Sequence, residues 1–382
     1  MVGNVAMFPS QDHGESIAEA LERMHPELAP VREAGGDPVY LVGGAVRDLL
    51  LGRGRADIDL VVEGDAVALA ARLGADITAH ERFGTAKLTL AGHEVDIATA
   101  RTETYPHPGS LPLVEPADRL EADLRRRDFT INAMAIPLSG ELRLIDPHGG
   151  QADLASKRLR VLHPGSFVDD PTRAIRAARY AARFGFELEP ETAELLGKAD
   201  LGTVSADRRE AELMRLAGEA SAPRGFALLA EWGLVELRDG GADLVARVDA
   251  LLAAEPWTGV APRDRALCAA ALGPAGGERD LARERPERPS QAVALAAGRD
   301  PVELTLARAL GADWLDRYLT EWQGVRLGID GEDLIAAGVR QGPALGRGLK
   351  EALRRKLDGE IDGREQELDV ALEVARSGDG MA

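Results

Sequence analysis

Apolar and polar positions along the chain follow two different periods, and the change between them falls near residue 165. From 39 to about 165, strand-like and helix-like stretches alternate. VYLVGG (39–44) reads as a strand ending in a glycine turn, AVRDLLLG (45–52) predicts a short helix closed by Gly52, and DIDLVVEG (57–64) predicts a second strand. After the helical spacing of DAVALAARLG (65–74), TAKLTLAGHEVDIATA (85–100) gives two alternating runs about Ala91 and Gly92, which predicts a hairpin. Upstream, SIAEALERMHPEL (16–28) predicts a helix and REAGGDP (32–38) a turn-rich join. Beyond 165 strands cease, and alanine-rich helical patterns continue almost to the end. Gly/Pro clusters interrupt them near 222, 240, 256–263, 273–277 and 341–346, with no repeat of fixed period. The pattern predicts a mixed α/β head followed by an all-helical body.

The length of 382 residues suggests two or three domains. With 45% apolar and 29% charged residues and few aromatics, the composition is that of a helix-rich globular protein. No window approaches the roughly 18 uninterrupted apolar residues of a membrane span. The start, MVGNVAMFPSQDHGES, has neither a basic segment nor the apolar run of a secretory signal, so a cytoplasmic protein is expected. The lone Cys268 can form no intrachain disulfide and is expected to be a buried small hydrophobe. A net charge of -18 speaks against loose association with nucleic acid, but residues 118–183 hold twelve Lys/Arg against nine Asp/Glu. A polyanion would be met there.

Asp57 and Asp59 carry the first candidate chemistry. In a strand, side chains two residues apart face the same side about 7 Å apart, so both carboxylates point together while Ile58 and Leu60 enter the core. Neighbouring carboxylates at a sheet edge repel unless a cation bridges them. Oxygen-only ligands favour Mg²⁺, and paired metals suit phosphoryl or nucleotidyl transfer. Asp96, alternating with Val95 and Ile97, is the candidate third ligand. Alone, such a pair also serves to cap a strand after the basic turn GRGR (52–55). Its neighbours matter more: Gly43 and Gly44 lie between a strand and a helix, where bare amides can approach a phosphate, and Arg47 one turn later can add a charge-assisted bond to a triphosphate.

Arg126, Arg127, Asp128 and Asn132 form a second polar set, able to hold a ribose and phosphates or simply to open a helix. The third set is DDPTRAIRAARYAARFGF (169–186), in which Arg173, Arg176, Arg179 and Arg183 fall within about a 120° arc of one helix. Asp169 and Asp170 can pair with Arg173, but the other three have no acidic partner on that helix, so something anionic should complete them. Asp170 is also a candidate N-cap, and with Arg173 it can read one face of a nucleobase through acceptor and donor hydrogen bonds. Arg208 and Glu212, at i and i+4, most simply form an ion pair, and DPHGG (146–150) a turn. The seven histidines show no metal spacing, and no Ser/His/Asp or Cys/His set stands out.

In order, LVGGAVRDLLLG with DIDLVV, then RRDFTINAMA, DPHGG, DDPTRAIRAARYAARFGF and SADRREAEL resemble the five motifs of class II tRNA nucleotidyltransferases, the CCA-adding enzymes and their bacterial poly(A) polymerase relatives. The resemblance covers roughly residues 38–220, and GIDGEDLIAAGVRQGPALGRGLKEALRRKLDGEI also looks like the family's tail segment. It implies an α+β fold class: a DNA polymerase beta-like nucleotidyltransferase head, a mixed sheet plus helices, followed by all-α neck, body and tail. The expected boundaries are an N-terminal extension 1–37, head 38–165, neck 166–225, body 226–325 and tail 326–382. The implied activity is Mg²⁺-dependent, template-independent addition of C and/or A from CTP and ATP to the 3′ end of tRNA, with tRNA held by its acceptor arm and elbow. Neither membrane nor DNA is an expected partner.

Position by position, Asp57 and Asp59 resemble the metal-binding carboxylates, and Asp96 stands in the place of the third acidic residue. Gly44 and Arg47 match triphosphate contacts, with Gly43 beside them. Arg126, Arg127 and Asp128 match the ribose and phosphate motif. Asp170 and Arg173 match the pair that selects CTP and ATP, Arg176 and Arg179 match nearby nucleotide contacts, and Arg208 and Glu212 match an ion pair supporting the selecting helix. Two departures stand out. Asp169-Asp170-Pro171 replaces the usual Glu-Asp-Pro, and PHPGSLPLVEP (106–116) lacks the basic residues of complete CCA-adding enzymes. Complete CCA addition, A-only addition and CC-only addition therefore all stay open, with the undeleted loop leaning against CC-only. A poly(A) polymerase is expected to carry a basic tail, whereas EIDGREQELDVALEVARSGDGMA (360–382) is acidic, and a binding-only protein has no need of paired metal carboxylates.

Overall fold

A computed structural model describes residues 16–54, 57–74, 77–80, 84–274 and 276–377. Residues 1–15, and Arg55 of the basic turn, lie outside the described residues. The chain forms two compact units, Met1–Val235 and Glu236–Ala382. It is about 53% helical.

In the first unit, Ser16 caps α1 (Ile17–Met24) through a reciprocal capping box with Glu19, and a 3₁₀ turn at Pro26–Leu28 leads into α2 (Ala29–Glu33). Leu21 and Leu28 are fully buried, so this described part of the expected extension packs as part of the unit. Next come β1 (Val39–Val42), α3 (Gly44–Leu50), β2 (Ile58–Val62), α4 (Ala66–Leu73), β3 (Ile77–His80), β4 (Thr85–Leu90) and β5 (His93–Thr99). Asp65 caps α4 by accepting from the Val67 and Ala68 N–H groups, and Ala91 and Gly92 turn the predicted hairpin, both at positive φ. These are followed by β6 (Arg101–Thr104), β7 (Leu113–Pro116), α5 (Leu120–Arg125), a 3₁₀ turn at Thr130–Asn132, β8 (Ala135–Pro137), α6 (Gly150–Ala155) and β9 (Arg158–Leu159). The unit ends with α7 (Ser166–Asp169), α8 (Thr172–Phe184), β10 (Glu187–Leu188), α9 (Pro190–Leu196), α10 (Ala206–Gly218) and α11 (Ala222–Glu231).

Six strands form one sheet in the order β3-β4-β5-β2-β1-β8, in which only β2 and β5 run parallel. The alternation read from the sequence holds where it matters. Ile58, Leu60, Val95 and Ile97 are buried, while Asp59 and Asp96, directly paired across β2 and β5, lie on the open face. Each such fully buried aliphatic side chain contributes about 1.5–3 kcal/mol, so the core fixes which face the carboxylates occupy.

Several elements differ from expectation. β6, β7 and β8 carry no period to read: β7 is exposed at every residue, and β8 is three residues inside a run buried on both sides. Strands also do not cease at 165, since β10 pairs in parallel with β9. Helix α11, with Phe226 and Leu229 buried, belongs to the first unit, which runs to Val235.

The second unit, as described, is helical and has two apolar cores. One gathers Trp257, Leu281, Leu304, Leu315 and Tyr318; the other gathers Leu334, Ala352, Val370 and Ala371. In the latter, Gly348 lets the helix Pro343–Leu357 meet the backbone of Ala371 on Arg364–Ser377. Cys268 is only partly buried, because its helix Arg263–Leu272 turns Ala266, Leu267, Ala270 and Ala271 inward and leaves Cys268 at the margin.

Candidate active site

The open face of the sheet and α8 wall a cleft of about 800 Å³ in the first unit. Sixteen residues singled out by sequence line it: Gly43, Gly44, Arg47, Asp57, Asp59, Arg126, Arg127, Asp128, Asn132, Asp170, Arg173, Arg176, Arg179, Arg183, Arg208 and Glu212. Asp96 does not. Its carboxylate lies 3.6 Å from Lys87, its partner on β4, and its charge still acts on Asp59. Among the described residues, no group of three His, Cys, Asp or Glu side chains is arranged to hold a metal ion.

The turn between β1 and α3 sets the cleft floor. Gly43 adopts φ 70 and ψ -132, a conformation that strains any residue with a β-carbon. A β-carbon there would also fall 2.8 Å from Arg127 Nη1 and 3.8 Å from Asp59 Oδ2. Glycine therefore lets the Arg127 guanidinium pass over the turn toward Asp59. The Asp59 carboxyl is held above its usual pKa chiefly by desolvation within the cleft; the charge of Arg127 opposes this, and those of Asp96 and Asp57 add to it. Asp57 and Asp59 thus offer hard oxygen donors whose repulsion a divalent cation would relieve, and this donor set fits such an ion.

Asp123, fully buried on α5, went unnoticed in the sequence because its role is indirect. Its Oδ1 accepts from Arg126 Nε and Nη2 at 2.9 and 2.6 Å, and its Oδ2 accepts from Arg127 Nε and Nη2 at 3.2 and 2.8 Å. Burial pushes its pKa up, but the two guanidinium charges outweigh burial and leave it below the usual carboxylate range. Arg126 also meets Glu103 at 2.7 Å, and the Tyr105 hydroxyl donates to that same glutamate. Burial leads the causes that push the Tyr105 pKa up to about 12.

Asp128 joins the head to α8. Its Oδ2 accepts from Arg176 Nε and Nη2 at 2.8 and 2.6 Å, and its Oδ1 accepts from Asn132 Nδ2 and the Phe129 N–H, both at 2.9 Å. Burial again raises its pKa, but Arg176 and the Asn132 hydrogen bond overcome this and drive it well below the usual range. Asn132 Oδ1 in turn accepts from Arg47 Nη1 at 2.6 Å.

Three expectations about α8 need correction. Asp169 and Asp170 do not pair with Arg173, which donates to Ser166 Oγ at 2.7 Å and to the Arg126 carbonyl at 2.8 Å. Asp170 instead accepts from the Thr172 N–H, as a cap would, and from Arg208 at 3.0 Å. Nor do Arg208 and Glu212 pair: Glu212 meets Arg215 at 2.6 Å and Arg176 at 3.6 Å, while Arg208 reaches across to the Gly109 carbonyl at 2.7 Å. Finally, protein carboxylates from other elements complete much of the arginine stripe. Arg176 meets Asp128, while Arg179 and Arg183 share Glu219 at 3.0 and 3.3 Å. A single helix could not reveal partners supplied by tertiary contact. DPHGG is a turn, as expected, and Asp146 in it accepts from the Gly150 and Gln151 N–H groups to start α6.

Residues 39–160 match the poly(A) polymerase head domain family. A CC-adding tRNA nucleotidyltransferase of Deinococcus radiodurans is 36% identical over 354 residues, covering 88% of this chain and 89% of that protein. The chain belongs to the class II tRNA nucleotidyltransferase family. An A-adding tRNA nucleotidyltransferase of Geobacter sulfurreducens is 33% identical over 92% of this chain but 47% of its own length. The chain spans about half or less of the A-adding relatives it matches, at 20%, 47% and 48%. A structure of the Thermotoga maritima CCA-adding enzyme complexed with tRNA aligns at a TM-score of 0.74 and 29% identity, covering 95% of this chain and 98% of that one. Structures of CCA-adding enzyme complexed with ATP and with CTP each align at 0.76, with 29% and 28% identity, over 94% and 96% of this chain and 98% and 99% of theirs. tRNA nucleotidyltransferases generally depend on a divalent metal. The head is of the polymerase beta-like kind, and no described helix is long and apolar enough to cross a membrane.

Proposed function

We propose that this protein adds C and/or A nucleotides from CTP and ATP to the 3′ end of tRNA without a template, releasing pyrophosphate. The observation that carries this reading is the convergence of Asp57, Asp59, the Gly43–Gly44 turn and the α8 arginines on one cleft. Asp57 and Asp59 would hold Mg²⁺, which when bound supplies charge neutralisation at the α-phosphate and lowers the pKa of the attacking 3′-hydroxyl. The Gly43–Gly44 turn opens α3 toward the phosphates, where N-terminal amides favour an anion. Asp128 and Asn132 sit where a ribose and its phosphates can be oriented, together with Arg126, Arg127, Arg176 and Arg179. We assign base selection to Asp170 and Arg173, whose carboxylate and guanidinium can accept from an exocyclic amine and donate to a base edge. Arg208 supports them by holding Asp170. The helical second unit, with its two cores as body and tail, is the natural grip for tRNA acceptor arm and elbow. We place the reaction in the cytoplasm.

The end-to-end likeness to a CC-adding relative favours, as a second reading, CC-only addition within a divided pathway. Purified protein with Mg²⁺ and labelled CTP or ATP, separately and together, tests both on tRNAs ending at the discriminator base, at C and at CC. CCA addition to the shortest tRNA establishes the complete activity. Two C residues without A establish the second reading, and A on the CC-ending tRNA alone establishes an A-adding enzyme. Long A tails on unrelated RNA, or no incorporation, would overturn the proposal.

A further inference from the structure

We infer that Asp48 is a positioning residue for nucleotide binding, acting through Arg47; this rests on the nucleotidyltransferase reading above. Asp48 is 1% exposed, yet it borders the cleft and had no place in the roles assigned from sequence. Its Oδ1 accepts from Arg47 Nε at 2.8 Å. Arg47, itself 3% exposed, is fixed on its other edge by Asn132 Oδ1 at 2.6 Å and on its face by Phe184 and Tyr180, with ring centroids 4.7 and 5.3 Å away. These contacts leave the second terminal nitrogen over the glycine turn: a β-carbon at Gly44 would lie 3.4 Å from Arg47 Nη2. A guanidinium is planar, so fixing Nε and Nη1 sets the direction of Nη2. Asp48 therefore aims Arg47 Nη2 at the place where the nucleotide's phosphates would meet the amides of α3.

The second oxygen of Asp48 strengthens the case. Asp48 Oδ2 is buried without a hydrogen bond, and Arg183 at the far end of α8 lies 3.6 Å from it. A carboxylate satisfied on one oxygen and facing a cation on the other ties the glycine-turn helix to the arginine helix at both sides of the cleft. Purely structural burial of Asp48 would not require Arg47 to face the turn.

Asp48→Asn keeps the shape and removes the charge that holds the fork. The expected result is a rise of about tenfold in KM for CTP and ATP alike, with kcat within about twofold, as for loss of aim in one charge-assisted bond. Calorimetry gives a readout independent of turnover: inorganic pyrophosphate should bind about tenfold more weakly, whereas cytidine monophosphate, which lacks the β- and γ-phosphates, should bind as to the unaltered protein. On an Arg47→Lys background the same substitution should add nothing. If Asp48→Asn does not fold, Asp48→Ser, which retains one acceptor, should show the same selective loss. Unchanged pyrophosphate binding, or equal weakening of the monophosphate, would overturn the inference. Failure of the unaltered protein to bind CTP or pyrophosphate would instead overturn the functional reading beneath it.

Discussion

Asp128→Asn isolates the energetic link between the head and α8. The substitution keeps the shape and an acceptor for Asn132 and the Phe129 N–H, but it removes the negative charge that Arg176 meets at 2.6 Å. Breaking one half of a buried pair costs about 3–5 kcal/mol, because the surviving charge is left uncompensated. Here the Arg176 side chain is 28% exposed and Glu212 stands 3.6 Å away, so the low end, about 3 kcal/mol, is expected. Hydrogen exchange of the α8 amides under mild denaturant reads this locally, which matters in a chain of two compact units. Adding Arg176→Met should return most of the loss, to within about 1 kcal/mol of the parent, since no orphan charge then remains. The pH dependence follows from the depressed Asp128 pKa. The ionised pair contributes its stability above the unfolded value of about 3.9 and loses it as pH falls through the lower folded value, so parent and variant should converge under acid. A loss below about 1 kcal/mol, or a double variant worse than the two singles combined, would refute the reasoning.

Gly43→Ala should destabilise the first unit by about 1–3 kcal/mol and displace Arg127, measured as a lowered thermal midpoint with weakened nucleotide binding. Asp59→Asn should raise the thermal midpoint at neutral pH, because the native site raises this pKa and so disfavours its charge, while cutting nucleotide incorporation by about a thousandfold or more. Arg208→Ala removes bonds to Asp170 and to the Gly109 and Ser110 carbonyls, so limited proteolysis should newly cleave the 105–112 loop.

The parts of the site that were legible from sequence are those with a local signature. The glycine turn, the Asp57–Asp59 pair at the start of β2 and the arginines of α8 each have a short-range signature, and the structure gathers them in one cleft. Features that escaped depend on partners distant in sequence. Asp123 holds two arginines through a buried carboxylate that resembles any helical acid, and Glu219 neutralises α8 from 36 and 40 residues away. Asp96 stands opposite Asp59 in the sheet and also meets Lys87 on the neighbouring strand, a contact that its own strand could not reveal. In the fold, strands with one buried face were readable and the β6–β7 ribbon, exposed along β7, was not, because no alternation accompanies backbone pairing alone.

In the proposed reaction the carboxylate pair carries the chemistry, while the arginines and the helical unit hold nucleotide and tRNA. Single-turnover incorporation of labelled CTP or ATP by Asp57→Ala, beside equilibrium binding of tRNA to the same variant, tests that division directly. The expected result is tRNA binding within about twofold of the unaltered protein and incorporation reduced by about a thousandfold or more. Incorporation at the parent rate, or loss of tRNA binding together with turnover, would contradict it.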